Sequence, residues 1–267
     1  MYCCVHAASF SGRVALVTGA SFGIGAAAAR AFAAAGANLV INGRNAERLE
    51  AVATDIRKQH PGVQVATLVG DVGKEETHVQ LVALALSKFG ALHIVFNNAG
   101  SAPAAPLLQV TSEQVDGVFD SNVKSIIYGL KHQLPAIAKS ASKDNWGVVV
   151  NNSSAISQKV KQGYEAMGVY AATKSAVDTL TKFGALEGAP LHVRVLSINV
   201  GLAASDGVVA LFGAEGGNKF ADSATLMSAG MISMEEVAQT ELFLADNKMA
   251  RFITGSGLLV DAGASIK

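Results

Sequence analysis

The chain has 267 residues, half of them hydrophobic, and its 21 Lys and Arg balance 21 Asp and Glu to a formal net charge of zero. Balanced charge removes the long-range field that draws a protein to nucleic acid or to an anionic membrane surface, and a half-apolar, charge-poor composition excludes disorder. No apolar run reaches the roughly 18–20 residues of a membrane span, and neither a charged, apolar leader nor metal-ligand spacing is present: the cysteines are only the adjacent Cys3 and Cys4.

The expectation is one cytoplasmic domain over residues 1–267, without a metal site and with residues 1–10 as a flexible N-terminus. Val14–Thr18 reads as its first strand. Thr18-Gly19-Ala20-Ser21-Phe22-Gly23-Ile24-Gly25 then leads into a helix over Ile24–Ala35. Glycines at such a turn let the backbone approach a pyrophosphate and aim the free N–H groups of the helix at it. Asn38–Asn42 is the second strand and ends in Asn42-Gly43-Arg44-Asn45, with no carboxylate before Glu47. An acid there would bind a ribose 2′-OH and repel a 2′-phosphate, whereas Arg44 pairs with the phosphate. The end of this strand therefore favours NADP(H) over NAD(H).

Further strand-like runs lie at Val63–Val69, His93–Phe96, Val148–Asn152, Val193–Ile198 and Gly257–Val260, all read as apolar on both faces. Helical patterns lie at Glu47–Gln59, Glu75–Phe89, across Ser112–Ala138 and over Ser175–Glu187. The alternation predicts an α/β fold, a doubly wound parallel sheet of about seven strands with helices on both faces. Lys139–Trp146 reads as a polar surface loop, and Gly201–Gly230, rich in Gly, Ala and Ser with weak periodicity, as a functional loop region.

Tyr170-Ala171-Ala172-Thr173-Lys174 puts a tyrosine and a lysine on one helix face. The ammonium is expected to favour the phenolate and lower the tyrosine pKa from about 10, fitting Tyr170 to give and take a proton at a carbonyl oxygen. The fifth strand ends in Ser153-Ser154 at the carboxyl edge of the sheet, where a serine hydroxyl can orient a substrate oxygen.

Taken in order, these elements resemble the short-chain dehydrogenase/reductase family from Phe10 to Ala264, and with it a Rossmann-type fold. The matching elements are Thr18–Gly25, Asp71-Val72, Asn97-Asn98-Ala99-Gly100, Asn122, Ser153-Ser154, Tyr170–Lys174, Gly255 and Val260-Asp261. The resemblance implies a hydride transfer between NADP(H) and a small ketone or secondary alcohol. Tyr170 would be the general acid/base, Lys174 would bind the nicotinamide ribose and tune Tyr170, and Ser154, ahead of Ser153, would polarise the carbonyl. Asn122 would hold a water linking Lys174 to solvent. Cofactor contacts would come from Gly19, Ser21, Phe22, Gly23, Ile24, Gly25, Arg44, Asp71, Val72, Asn98, Ala99, Gly100, Tyr170, Lys174 and Gly201. Asp71 and Val72 would flank the adenine and Asn98 the adenosine ribose, although Asp71 also reads as a strand-end cap. Similar proteins pair into homodimers or homotetramers through two long helices, here Ser112–Ala138 and Tyr170–Glu187.

The chain departs from the family pattern in a longer segment around Lys159–Met167, in Val200 where proline is usual, and in Ala262 where glycine is usual, a mild change. Ser205 keeps a hydroxyl often found past Gly201, and Tyr164, with no lysine four residues on, reads as a loop residue or pocket wall. Two other functions stay open: a non-catalytic NADP-binding sensor or scaffold, and a reductase of carrier-bound 3-oxoacyl chains docking on Lys159, Lys161 and Lys219. The substrate is left to Ser101–Leu108, Ala155–Val169 and Gly201–Gly230, which the fold does not specify.

Overall fold

In the computed structural model, which describes residues 9–159, 165–205, 208–209 and 213–267, seven parallel strands form one sheet in the order β3-β2-β1-β4-β5-β6-β7. The strands are β1 Val14–Val17, β2 Asn38–Gly43, β3 Val65–Val69, β4 Ile94–Asn97, β5 Gly147–Ser154, β6 Val193–Val200 and β7 Gly257–Val260. Strand order reverses between β1 and β4, which pair directly. That reversal opens a crevice at the carboxyl edge of the sheet, where open α/β folds bind ligands.

Period-two alternation sorts the strand side chains into two cores. Ala15, Val17, Leu39, Ile41 and Phe96 face one helix layer, while Val14, Leu16, Val40 and Val95 face the other. The central strands β1, β4 and β6 are buried throughout. The outer strands are not: β3 is half-buried to exposed, and β7 alternates exposed with half-buried residues. The two-faced burial expected of every run fails at these edges because each has a neighbour on one side only.

The helices are α1 Gly23–Ala34, α2 Ala46–Gln59, α3 Glu75–Phe89, α4 Ser112–Phe119, α5 Ser125–Ala138, α6 Gly168–Gly188, α7 Ala214–Ala224 and α8 Met234–Ala245. Alanines at 26, 28, 29 and 33 make a narrow buried face on α1, along which α8 packs. The Arg194 guanidinium, 1 % exposed on β6, donates to the carbonyl of Leu244 in the last turn of α8, to Ile253 O and to Asn247 Oδ1. A cation placed there satisfies terminal carbonyls and complements the helix dipole.

Several expectations change. The span read as one helix over Ser112–Ala138 is broken by a π-helical turn, Asp120–Lys124, which holds Asn122. The last long helix begins at Gly168, not Ser175, so Tyr170 lies in its first turn. The Gly201–Gly230 region contains α7, and α8 went unread in the sequence. Residues 1–8 and Tyr164 lie outside the described residues, but Phe10 belongs to the fold: it is buried, its N–H bonds Ala35 O at 2.7 Å, and its ring packs 5.5 Å from that of Phe32. Among the described residues no helix is long and apolar enough to cross a membrane, and no cluster of His, Cys, Asp and Glu could hold a metal ion.

Candidate active site

Thr18 follows the last residue of β1 and stitches the crevice together. Its hydroxyl accepts from the N–H groups of Asn98 and Ala99 at 3.0 and 3.1 Å, and the Asn98 amide returns a bond to Thr18 O at 3.0 Å. The chain then turns at Gly19, with φ +66, where a Cβ would stand 2.8 Å from Ala99 Cα. Gly25 is equally constrained, because a side chain there would collide with the carbonyl of Gly19. Only glycine lets the turn, the start of α1 and the end of β4 come this close. On the other side, Asn42 Nδ2 bonds Leu68 O and Gly70 O at 3.0 and 3.1 Å, fixing the ends of β2 and β3 together and placing Asp71. The Asp71 carboxylate accepts from Gly73 N at 2.9 Å, so it caps the strand end and faces the crevice at once.

The result is a cleft of about 300 Å³ lined by Gly19, Ser21, Phe22, Gly23, Ile24, Arg44, Asp71, Val72, Asn98, Ala99 and Gly100. Gly25 is absent from the lining because it is spent on packing the turn. Arg48, which the sequence reading overlooked, also lines the cleft. Arg44 stands just before the N-cap of α2 and Arg48 in its first turn, so the two guanidinium groups border the same end of the cleft. Asn45 caps α2 by accepting from Arg48 N at 2.8 Å, which fixes that first turn. Among the described residues neither arginine has a carboxylate partner. The Ser21 hydroxyl lies against Gly43 and, among the described residues, has no hydrogen-bond partner, although it is buried. A glycine cradle, an unspent hydroxyl and two free guanidinium groups fit a nicotinamide dinucleotide.

A second cavity, of about 270 Å³, is lined by Ser154, Tyr170, Gly201, Lys159, Thr225 and mostly apolar neighbours. Ile24 and Ser205 border both spaces, so the two lie side by side. Ser154 Oγ donates to Val200 O at 3.3 Å. Ser153 also borders the cavity but is buried, its hydroxyl bonded to Lys174 O at 3.2 Å. Lys174 is 5 % exposed, donates to Asn152 O at 2.7 Å, and holds its Nζ 5.6 Å from the centre of the Tyr170 ring.

The electrostatics overturn one expectation. Burial pushes the Tyr170 hydroxyl up, opposed by a hydrogen bond from the Ser154 side chain, with no lowering by Lys174. Lys174 itself is pushed down to about 8 by burial, against the pull of Asp178. Desolvation is the larger effect on both groups. Asn122 is anchored on both sides of its amide. Its Nδ2 donates to Ser101 O at 2.9 Å and Thr173 Oγ1 at 3.0 Å, and its oxygen accepts from Ser101 N at 2.8 Å and lies 3.1 Å from Ser121 Oγ. It ties the strand-end loop to α6 next to Lys174.

A family model described as short chain dehydrogenase matches residues 13–215. The chain is 33 % identical over 257 residues to D-erythrulose reductase of Gallus gallus, covering 96 % of each protein. It resembles the structure of L-sorbose reductase from Gluconobacter frateurii complexed with NADPH and L-sorbose, with a TM-score of 0.89, 26 % identity and coverage of 97 % and 99 %. It also resembles 3-ketoacyl-(acyl-carrier-protein) reductase from Brucella melitensis complexed with NADH, with a TM-score of 0.85, 31 % identity and coverage of 97 % and 100 %. The glycine-turned crevice, the adjoining Ser154–Tyr170 cavity and these likenesses agree, and the chain belongs to the short-chain dehydrogenase family, oxidoreductases that act on C–OH and C=O groups with a nicotinamide cofactor.

Proposed function

We propose that the protein interconverts a small ketone and the corresponding secondary alcohol with NADP(H), using Tyr170 as the general acid/base. The observation that carries this reading is the adjacency of the two spaces: Ser154 and Tyr170 line a cavity that shares Ile24 and Ser205 with the glycine-turned cleft. When bound, the cofactor supplies or accepts the hydride. The glycine turn and the N-terminus of α1 would hold its pyrophosphate, and Asp71, Val72, Asn98, Ala99, Gly100 and Gly201 would supply further contacts to it.

The chain's own groups handle the oxygen and its proton. Ser154 gives a hydrogen bond to the substrate oxygen in place of its bond to Val200 O. Tyr170 donates its proton to that oxygen in reduction and recovers it in oxidation. Lys174, charged below a pH of about 8, stabilises the phenolate left behind. Asn122 keeps the loop over Lys174 in place through its bonds to Ser101 and Thr173.

The test follows NADPH oxidation with D-erythrulose, L-sorbose and a 3-oxoacyl thioester as probes. We expect turnover of at least one small ketone, and a Tyr170→Phe variant that loses about 10²–10⁴-fold in kcat while binding NADPH normally. NADPH binding without turnover of any ketone would favour the non-catalytic sensor or scaffold, and retained activity in Tyr170→Phe would sink the mechanism. The carrier-bound reading rests on a basic patch that is largely spent: Lys219 pairs with Glu215 at 2.7 Å, Lys159 donates to Lys267 O at 3.0 Å, and Lys161 lies outside the described residues.

A further inference from the structure

Four residues beyond Lys174 on α6, and so on the same helix face, lies Asp178. Its carboxylate collects hydrogen bonds from two other parts of the fold, the turn after β5 and strand β6. Oδ2 lies 2.6 Å from Ser157 Oγ, 2.9 Å from Gln158 Nε2 and 2.9 Å from Asn199 Nδ2. Oδ1 lies 3.1 Å from Asn199 Nδ2 and 3.2 Å from Ser197 Oγ. The same partners converge on Ser154. Ser157 Oγ is 2.7 Å from the Ser154 carbonyl oxygen, its single hydrogen divided between that oxygen and Asp178, and Asn199 Nδ2 reaches the same carbonyl at 3.4 Å.

We propose that Asp178 is a positioning residue for the reaction: through Ser157 and Asn199 it fixes the turn that presents Ser154 to the substrate. The proposal rests on the reading of Ser154 as the group that orients the substrate oxygen. Two further features support it. Strand β7 carries Gly257 at the point where any side chain would collide with Asn199 Oδ1, so the neighbouring backbone is left bare for this amide. Ser154 pairs in register with Val200, the residue that replaces the usual proline, and bonds its carbonyl. A proline ring would hold φ at that point by itself. Here the side-chain network from α6 supplies the rigidity instead.

A carboxylate that only fastened α6 to β6 would also be half-buried and bonded, so stability alone does not separate the two roles. A double-mutant cycle does. The measurement is kcat, KM and NADPH affinity for Asp178→Asn and Ser157→Ala, each alone and on a Ser154→Ala background, with the ketone that the wild type reduces fastest. A slight displacement of Ser154 is expected to lower kcat by about 10- to 100-fold in either single variant, with NADPH affinity unchanged. That loss should disappear once Ser154 is already alanine. An equal loss on both backgrounds, or a folded Asp178→Asn protein with wild-type kcat, overturns the proposal. If Asp178→Asn does not fold, Ser157→Ala, at the half-buried turn, decides by the same criteria. Tyr170→Phe run alongside separates the levels: turnover retained there removes the reading of the whole site, whereas turnover lost there beside a normal Asp178→Asn removes only the role of Asp178.

Discussion

Arg44 and Arg48 face the cleft from the end of β2 and the first turn of α2, both exposed and neither, among the described residues, paired with a carboxylate. A guanidinium held beside a ribose phosphate gains a charge-assisted, bidentate bond, and two of them share the phosphate charge. Arg44→Asp is therefore expected to reverse the cofactor preference, and Arg48→Ala to weaken NADPH more than NADH. Initial rates with each cofactor measure both, and an Arg44→Asp enzyme that still preferred NADPH would contradict the assignment. A second residue carries strain instead of charge. Ala262 adopts φ +51, held there as its carbonyl accepts from Leu226 N and Met227 N at 3.0 and 3.2 Å. The glycine usual at this position is thus more than a mild preference. A left-handed alanine costs about 1–2 kcal/mol, of which glycine would return part as unfolded-chain entropy. Ala262→Gly should raise stability by about 0.5–1 kcal/mol, or roughly 1–3 °C in Tm by thermal denaturation, and a lower Tm would show that the strain is absent.

Among the elements, α8 shows where a sequence is readable and where it is not. Its start is written in a capping box: Glu236 N bonds Ser233 Oγ at 3.2 Å, and Ser233 N bonds Glu236 Oε2 at 2.8 Å. Its buried stripe should have completed the signal, but that stripe runs Val237, Ala238, Glu241, Leu242, Leu244 and Ala245. A glutamate in a core position breaks the apolar period. The glycine turn and the Tyr170–Lys174 spacing were legible because each is local. The break at Asp120–Lys124 was not, because both sides continue in helix, and the Asp178 network was hidden because its partners come from separate stretches of chain. Glu241 also makes a prediction. Fully buried and, among the described residues, with neither carboxyl oxygen bonded, it has its pKa raised well above the ordinary value by desolvation. The folded chain then holds this proton at pH values where the unfolded chain has released it, so stability falls as pH rises from about 4.5. Glu241→Gln should remove that slope, its Tm advantage over the wild type growing with pH, and Glu241→Leu should add about 1–3 kcal/mol by deleting the unsatisfied group. Parallel Tm curves for wild type and Glu241→Gln would refute this.

The molecule as a whole divides its labour between two regions. The carboxyl edge of the sheet carries both cavities, while α4, α5 and α6 form one packed layer on the side of the sheet that holds Leu16, Val95 and Val149. That layer exposes large apolar side chains at Phe119, Ile127, Phe183 and Leu186. Single exposed apolar residues are ordinary, but Phe183 and Leu186 stand one helical turn apart and share a face, toward the end of α6 remote from Tyr170. Covering that face with a second copy of the chain would bury both side chains, and the formal charge of zero adds no net repulsion between copies. We therefore expect a homodimer, or a homotetramer built from it, joined along these helices. Light scattering after gel filtration should give a multiple of the 27.3 kDa chain mass. Replacing both Phe183 and Leu186 with lysine should shift it to the monomer while NADPH binding at the sheet edge survives. A wild-type protein that runs as a monomer at micromolar concentration, or a double variant that still pairs, would move the interface elsewhere.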